Sequence, residues 1–564
     1  MNIGDDTGLA KGEPDEPRRG TAVTGLDEEL STGSAVETPE PRARSGGRIA
    51  RSAAFFSIAT SLSRIVGLAR EILVAALFGI KGPMSAFTIA FQIPNLVRAL
   101  FADAAISAAF IPVFTQELEQ GSKREAFRLA SNLIWLLLAL TALLTLLYVL
   151  LAPVLVPIFA PGFEGELLSL TVTLSQLMFP ILIALGVSGV TAAILNSYGR
   201  FAVFALAPVV WNLVIIAVLI ALTPRLEGED RIYAYAAGVI VGTVVQMTFL
   251  VWDLRHTPFV MEWKPRLISA ARSPDVRRVL LLMVPVMLSI GLINFNGFIL
   301  SIFGTLVSDA APAAIDRAFR LFMLPAGLFV VALSTVIFPY LSRYAARSDF
   351  VAIRSLLARG MRQSMVMMLP ATAAIVALSV PIVRLVYQRG EFDAAETQLV
   401  ATALFWFAFG LPYNGLFALQ NRTLFSMQRA WVSSAIAAGT LLLTAACAAA
   451  LYGPFGIAGL VGATVIAGGL MTIVQSVILR HRLGGLEMRR LLLLVARVLP
   501  ASVALGLVSW EVWNLIDAAL GRGLGGQLAS VGGGLLAGGV VYLALLTLFR
   551  VPELAEIRAM LARR

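Results

Sequence analysis

The sequence predicts an all-α polytopic membrane protein with 14 transmembrane helices, arranged as two pseudo-symmetric six-helix bundles with two helices appended at the C-terminal end. Composition, a series of long apolar segments and an internal repeat predict this class. Of the 564 residues, 58% are hydrophobic and only 14% are charged, and the mean hydropathy is +0.84. Because a soluble domain carries about 25% charged residues, this composition excludes an ordinary soluble globular protein.

Apolar segments long enough to cross a bilayer, which takes about 20 residues of helix, recur along the chain. They lie near residues 54–79, 84–117, 129–159, 167–196, 201–223, 232–254, 278–305, 311–343, 351–386, 395–423, 431–451, 456–479, 491–516 and 526–549. The longest of them are expected to tilt, bend or project beyond the bilayer.

Arginine and lysine concentrate in alternate loops, and this bias predicts the orientation of the chain. One set of loops is strongly basic, whereas the opposite set holds only Lys81, Arg225, Arg231, Arg389 and Arg522. The positive-inside rule places the basic set and both termini in the cytoplasm. Because topology explains the basic residues, no nucleic-acid partner is predicted.

The two ends of the chain are polar. Residues 1–50 are rich in Pro, Gly, Glu and Asp, which predicts a disordered cytoplasmic tail and no cleavable signal peptide. Residues 551–564 are predicted to form a basic cytoplasmic C-terminus.

Cys447 is the only cysteine, and His256 and His481 are the only histidines. Neither a disulfide framework nor a Cys/His metal site is therefore predicted, and no cofactor is expected.

Short segments repeat at a nearly constant spacing in the two halves of the chain. The segment from Pro153 to Gly162 matches the segment from Pro381 to Gly390 (381 − 153 = 228). Two further pairs have almost the same offset: Phe110-Ile111-Pro112 with Ile337-Phe338-Pro339 (339 − 112 = 227), and the loops ending at Arg200 and Arg429 (429 − 200 = 229). The alternative is that similar loop residues arose independently at these positions, as they can in any helical membrane protein.

The repeat predicts two six-helix bundles, at residues 52–256 and 276–482, followed by two appended helices at 489–550. Because six is an even number of spans, both bundles have the same orientation in the membrane. Transporters built from such repeats bind their substrate between the halves and expose the site to each side in turn.

Ionisable residues at bilayer depth are costly and usually face a cavity or a partner. The first span contains Arg64, Arg70 and Glu71. On a straight helix the two arginines point about 240° apart, so Gly67 between them is predicted to act as a hinge that turns both into one cavity. The alternative for Arg70 is a pair with Glu71 or a position at the membrane interface.

The second span contains Pro94, Arg98 and Asp103. Pro94 removes a backbone donor and is predicted to be a second hinge. Arg98 and Asp103 are five residues apart and do not share a helix face, so each is expected to meet a group across the cavity.

The eighth span contains Asp316, Arg317 and Arg320, and its two arginines share a helix face. Asp316 can neutralise one of them, which leaves Arg320 as the predicted surplus charge. A structural arginine–carboxylate bridge is the alternative for any single residue, but buried arginines outnumber buried carboxylates. Since the guanidinium fork binds phosphate bidentately and stays charged, an anionic substrate is favoured, and a pyrophosphate on a lipid carrier also suits the apolar surroundings.

These residues lie in stretches that resemble the MurJ/MviN lipid II flippase family, within the class of multidrug/oligosaccharidyl-lipid/polysaccharide exporters. The resemblance covers about residues 52 to 550. Its motifs are Ser63-Arg64-Ile65-Val66-Gly67-Leu68-Ala69-Arg70-Glu71, Ile93-Pro94-Asn95-Leu96-Val97-Arg98 continuing to Pro112, Ala160-Pro161-Gly162-Phe163, Ala193 to Phe201, Ala207-Pro208, and Arg320 before Leu324-Pro325.

The resemblance implies a fourteen-helix protein that moves lipid II, the undecaprenyl-pyrophosphate-linked peptidoglycan precursor, from the inner to the outer leaflet of the bacterial cytoplasmic membrane. It implies that Arg64, Arg70, Arg98 and Arg320 bind substrate and that Asp103 holds a gating or charge-pairing position usually occupied by Glu. It also implies that the two appended helices form a groove for the polyprenyl tail. Membrane lipids and cell-wall synthesis proteins are the other expected partners.

Two positions depart from the family pattern: Ser85 replaces an Asp, and Met323 replaces a Glu. The two departures affect positions where the family's carboxylates are expected to gate the cavity, whereas the four site arginines match the family pattern. Membrane potential or a monovalent cation is the expected source of coupling. The alternatives are a flippase for another undecaprenyl-linked oligosaccharide, a cationic-drug exporter, a membrane enzyme, or a non-transporting cell-wall scaffold. Drug export predicts carboxylates in the cavity, and a polyprenyl-phosphate enzyme predicts an acidic magnesium site within the membrane region.

Overall fold

The computed structural model describes residues 44–101, 104–263 and 273–553. Within these ranges the regular structure consists of sixteen α-helices and two short 3₁₀ turns between α7 and α8. The helices are α1 (Arg44–Phe78), α2 (Gly82–Phe101), α3 (Ala104–Glu119), α4 (Lys123–Phe159), α5 (Gly165–Met178), α6 (Ile181–Ser197), α7 (Phe201–Leu222), α8 (Arg231–Leu254), α9 (Pro274–Val307), α10 (Ala311–Ala346), α11 (Phe350–Tyr387), α12 (Ala394–Ala408), α13 (Leu411–Ser426), α14 (Ala430–Leu483), α15 (Met488–Leu520) and α16 (Leu524–Leu548).

The predicted all-α membrane class is confirmed. Among the described residues, eight helical segments are long and apolar enough to cross a membrane, and the α12–α13 pair, bent by 49°, adds a ninth. Each of the fourteen predicted segments falls on one helix, on two consecutive helices or on one half of α14. The count of fourteen spans stays a prediction.

The longest helix contains a sharp break. α14 is interrupted at Gly456, whose φ of 55° and ψ of −133° lie outside the helical region. A residue with a side chain rarely adopts this conformation, so glycine is required there. Pro454 lies two positions earlier and cannot donate a backbone hydrogen bond. The break therefore separates the eleventh predicted segment from the twelfth.

The helix boundaries repeat along the chain with the spacing of the sequence motifs. α4 begins at Lys123 and α11 at Phe350 (350 − 123 = 227), while α7 begins at Phe201 and α14 at Ala430 (430 − 201 = 229). α4 and α11 are also almost equally long, with 37 and 38 residues. A constant offset between boundaries is what a duplicated bundle produces. We call α1–α8 the first half and α9–α14 the second half; the predicted domain limits themselves stay predictions.

The appended helices α15 and α16 pack against each other and against α11. Gly534 and Gly538 of α16 face the backbone of α15 at Ser509 and Leu505. At the far end of α15, Asp517 forms a salt bridge with Arg384 of α11. The two helices are thus fixed to the second half by close backbone contact and by one largely buried ion pair.

Alternate loops gather at opposite ends of the helices. One end holds a cavity of about 780 Å³ whose lining comes from the loops near Lys81, Glu164, Glu229, Asp309 and Glu391. We call this end the outer end, because these loops are the ones predicted to face away from the cytoplasm. Loops of the opposite set, at 346–350 and 425–429, surround a second cavity of about 620 Å³ together with Arg482 at the end of α14.

The described residues from 54 onward form one compact unit. The predicted disordered tail of residues 1–50 needs a correction at its end, because α1 begins at Arg44 and residues 44–50 are helical. The remainder of the tail, the C-terminal residues 554–564 and Asp103 lie outside the described residues.

Candidate substrate cavity

A cavity of about 260 Å³ lies between the two halves, with walls from α1, α2, α7, α8 and α10. Its apolar wall includes Phe87 and Phe91, and its polar wall includes the predicted arginines Arg70, Arg98 and Arg320. The full lining is Arg70, Glu71, Met84, Phe87, Thr88, Phe91, Gln92, Asn95, Arg98, Trp211, Tyr235, Val239, Asp316 and Arg320. Three of the four predicted arginines therefore meet in one cavity.

The buried carboxylate of Glu71 is the hub of the charged wall. Arg70 and Arg317 both form salt bridges with it, and Arg320 Nη1 lies 3.0 Å from its Oε1. Arg317 also donates to the backbone oxygen of Glu71 at 3.2 Å. Glu71 belongs to α1 in the first half, whereas Arg317 and Arg320 belong to α10 in the second half. The contacts of Glu71 therefore join the two halves.

Asp316 supplies the second carboxylate. Its Oδ2 accepts from Arg320 Nε at 2.8 Å, across one helical turn. The prediction that Arg320 is the surplus charge is therefore wrong, since Arg320 contacts both carboxylates. Three arginines (Arg70, Arg317 and Arg320) share two negative charges, which leaves this group with a net charge of 3 − 2 = +1.

Arg70 carries the surplus hydrogen-bonding capacity. It is only 6% exposed, its guanidinium lies 4.7 Å from the ring centroid of Trp211, and it lines the cavity. Its Nη2 binds Glu71, but Nε and Nη1 are buried without a hydrogen-bond partner. Buried guanidinium donors are almost always satisfied, and leaving one unsatisfied is costly. Arg70 therefore has two donors beside the cavity that no described group satisfies.

Arg98 lies on α2 at the edge of the same cavity. Its Nε and Nη2 donate to Asn95 Oδ1 at 3.0 Å and 2.9 Å, one turn earlier on the helix. This contact holds the guanidinium against the cavity wall. The helix continues through Pro94, which is buried. The hinge role of Pro94 and the gating role of Asp103 stay predictions.

Arg64 is the one predicted arginine that the structure does not bring to the cavity. It is exposed and absent from the cavity lining, whereas Arg70 is buried there. α1 remains a continuous helix through Gly67, so the angular separation of the two arginines persists. A Cβ added to Gly67 would lie 3.6 Å from the side chain of Asn212 in α7, an ordinary van der Waals distance, so the packing of α1 on α7 does not require glycine there.

The two departures from the family pattern have different surroundings. Ser85 is fully buried, and its Oγ accepts a hydrogen bond of 3.2 Å from the backbone N–H of Ala313 near the start of α10. Ser85 therefore connects the two halves through a neutral bond. Met323 is 40% exposed.

Sequence reasoning did not assign Glu71, Arg317, Trp211 and Tyr235 to the site. Glu71 is an intramembrane carboxylate beside surplus arginines, and that position in the sequence is itself a signal of a site. Arg317 is 1% exposed and sits deeper than Arg320. Trp211 and Tyr235 carry no signal in an apolar span, because aromatic residues are common there.

The repeated helical halves, the apolar spans and the cationic cavity between them define a polytopic membrane transporter rather than an enzyme. Structural comparison supports the fold: a multidrug resistance MATE family transporter of the MOP superfamily, in an inward-facing conformation, matches it with a TM-score of 0.62 at 16% identity, over 76% of this chain and 96% of that one. A solved lipid II flippase MurJ in an inward closed conformation matches with a TM-score of 0.72 at 22% identity, over 88% of this chain and 98% of that one.

The family follows from the sequence comparison. The family model for lipid II flippase MurJ matches residues 74–546, so the chain belongs to the lipid II flippase MurJ family. A lipid II flippase MurJ of Burkholderia cenocepacia is 30% identical over 389 residues, which covers 68% of this chain and 75% of that protein. The matched range contains Arg98 and Arg320 but begins after Arg64, Gly67 and Arg70.

Proposed function

We propose that the chain flips lipid II from the inner to the outer leaflet of the bacterial cytoplasmic membrane, with both termini in the cytoplasm. The observation that carries this proposal is the pair of unpartnered, buried guanidinium donors on Arg70 in a cavity between the halves. A pyrophosphate offers several acceptor oxygens and negative charge, which match those donors and the net positive wall. Membership of the flippase family supports the same substrate.

The cavity is proposed to hold the headgroup's pyrophosphate while the undecaprenyl chain stays in the membrane. The cavity volume of about 260 Å³ accommodates a pyrophosphate and not a whole glycopeptide, so the halves must separate for the complete headgroup to enter. Alternating access supplies that separation: the halves part at one end while the other stays closed. Coupling is proposed to come from membrane potential or a monovalent cation, since moving one charge is worth about 2.3 kcal/mol per 100 mV.

The exposed apolar surface of α15 and α16 is the proposed contact for the lipid tail. Leu507 and Leu515 of α15 are 63% and 70% exposed, and Leu536 of α16 is 73% exposed. A polyprenyl chain and the bilayer lipids both suit such a surface. Cell-wall synthesis proteins are the further proposed partners, since they make and consume the lipid-linked precursor.

The test replaces Arg70 with Ala and measures two properties: binding of lipid II to purified protein, and rescue of a strain depleted of its own flippase. Losing charge-assisted hydrogen bonds of about 1.5–3 kcal/mol should weaken binding by about tenfold or more and abolish rescue. Arg522→Ala removes an exposed loop arginine and should change neither property.

Unchanged lipid II affinity and full rescue by Arg70→Ala, at wild-type protein abundance, would contradict the proposal. Competition with undecaprenyl pyrophosphate and with an undecaprenyl-linked oligosaccharide identifies the recognised group. Preference for the oligosaccharide over lipid II would assign the chain to another lipid-linked substrate, and rescue failure by the unaltered chain would favour the scaffold alternative.

A further inference from the structure

Two glycine loops at the outer end touch the backbone of the opposite half. The loop after α4 brings Gly162 against α9, and its N–H donates to Thr305 Oγ1 at 3.1 Å. The loop after α11 brings Gly390 against α1, and the N–H of the next residue, Glu391, donates to the carbonyl oxygen of Ala76 at 2.9 Å. Both loops therefore leave one half and bond to the other.

Both glycines are in contact too close for any side chain. A Cβ on Gly162 would lie 2.1 Å from the carbonyl oxygen of Thr305, and a Cβ on Gly390 would lie 2.2 Å from that of Ala76. Each obstacle is a backbone atom, which cannot rotate away as a side chain can. Even an alanine methyl group would therefore force the loop and the facing helix apart.

The two contacts are equivalent under the internal repeat. Gly162 and Gly390 occupy matching positions (390 − 162 = 228), and so do the residues that they touch, Ala76 and Thr305 (305 − 76 = 229). Ala76 and Thr305 each lie in the last turn of the first helix of their half, α1 and α9. Equivalent loops of the two halves thus contact equivalent helices of the opposite half, as a pseudo-twofold relation requires.

Ion pairs between the two halves at the outer end are weaker candidates for holding that end closed. The Glu391 side chain is 48% exposed and lies 3.5 Å from Lys81 and 3.7 Å from Arg231. Exposed ion pairs contribute little because water and salt screen them. The backbone hydrogen bonds and the close glycine packing instead hold backbone atoms in direct contact, and they define one geometry.

We propose that Gly162 and Gly390 are positioning residues that latch the outer end shut, and that both latches separate when the cavity opens outward. The proposal deepens the alternating-access function proposed above and rests on it for its purpose, but the latch is a property of the fold itself. Because both latches bridge the halves at the same end, opening one strains the other, and the outer end opens as a unit.

The test measures the separation of the halves at the outer end by electron paramagnetic resonance in lipid nanodiscs. Spin labels are placed at Glu229→Cys in the first half and Asp309→Cys in the second, both exposed loop residues, in a Cys447→Ser background. Gly162→Ala should raise the population of the longer distance by at least about fivefold, because the clash destabilises only the closed state. Gly390→Ala should do the same.

Matched glycine controls separate the clash from other effects of alanine. Gly523→Ala adds a methyl group to an outer-end loop with open space around it, and matches Gly162→Ala. Gly165→Ala adds one at a φ of 55° in open space, and matches the backbone strain of Gly390→Ala at a φ of 59°. Both controls should leave the distances unchanged.

Thr305→Val covers the case in which an alanine variant fails to fold, since it removes the acceptor of Gly162 without adding volume. A shift to the longer distance in this variant supports the latch. Unchanged distances in every folded latch variant would overturn it. Since the measurement uses no substrate, a failure of the latch is distinguishable from a failure of lipid II transport, which the binding and rescue experiments report.

Discussion

Glu71 holds the charged wall of the cavity together. Its buried carboxylate contacts arginines from α1 and from α10, and Asp316 is the other carboxylate in the group. Breaking a buried ion pair by removing one partner costs more than the pair contributes, because the remaining charge is left uncompensated. The same removal at an exposed site costs little.

Glu71→Gln should therefore destabilise the protein strongly, by about 3–5 kcal/mol, since it leaves three arginines with one carboxylate. Thermal unfolding in detergent, followed by loss of monodisperse protein, measures the effect. Glu391→Gln is the matched control: its carboxylate also contacts two basic residues, but at 48% exposure it should cost less than about 1 kcal/mol. Equal midpoints for the two variants would show that Glu71 is not the hub.

At the scale of elements, α15 and α16 depend on glycine for their mutual approach. A Cβ on Gly538 would lie 2.1 Å from Ser509 Oγ and 2.6 Å from the carbonyl oxygen of Leu505. Gly534, one turn earlier, faces the carbonyl oxygen of Ser509 at 2.6 Å in the same way. Glycines four apart let membrane helices pack backbone to backbone, so this pair of helices is a close-packed unit.

Gly538→Ala should push α16 away from α15 and cost about 1–3 kcal/mol, as overpacking does in a tight interface. Thermal unfolding and the rate of limited proteolysis within α16 report it. Gly539→Ala is the neighbouring control, because nothing lies within 4 Å of its added methyl group. If the two variants unfolded alike, intrinsic helix propensity rather than packing would explain the result.

At the scale of the whole molecule, the proposed transport cycle requires the outer end to open. Lys81 and Glu391 lie across the seam between the halves, with Nζ and Oε2 3.5 Å apart. Both are about half exposed, so a bifunctional thiol reagent can reach cysteines at these positions.

Cross-linking Lys81→Cys to Glu391→Cys, in a Cys447→Ser background, should stop lipid II flipping completely while leaving the protein folded. Reducing the cross-linker should restore flipping, and each single-cysteine variant should be insensitive to the reagent. Lipid II exposed on the outer leaflet of cells provides the readout. Undiminished flipping by cross-linked protein would contradict an outward opening at this seam.

Local chemistry was sufficient to predict the helical class, most helix positions and three of the cavity arginines. Apolar length, positive loop charge and the near-constant offset of the repeat are properties of neighbouring residues, and charged groups inside apolar spans stand out for their cost. The same local reasoning placed Arg64 in the cavity, because it required a bend at Gly67 that α1 does not make.

Only the tertiary structure decided which charges meet. Glu71 and Arg317 are 246 positions apart, and the two glycine loops reach helices that lie far away in the chain. Such pairings depend on how the halves dock, and no periodicity within a segment encodes that. The sequence by itself determined a membrane protein of two repeated halves with buried arginines; the docking of those halves decided that Glu71 is their hub and that glycine closes the outer end.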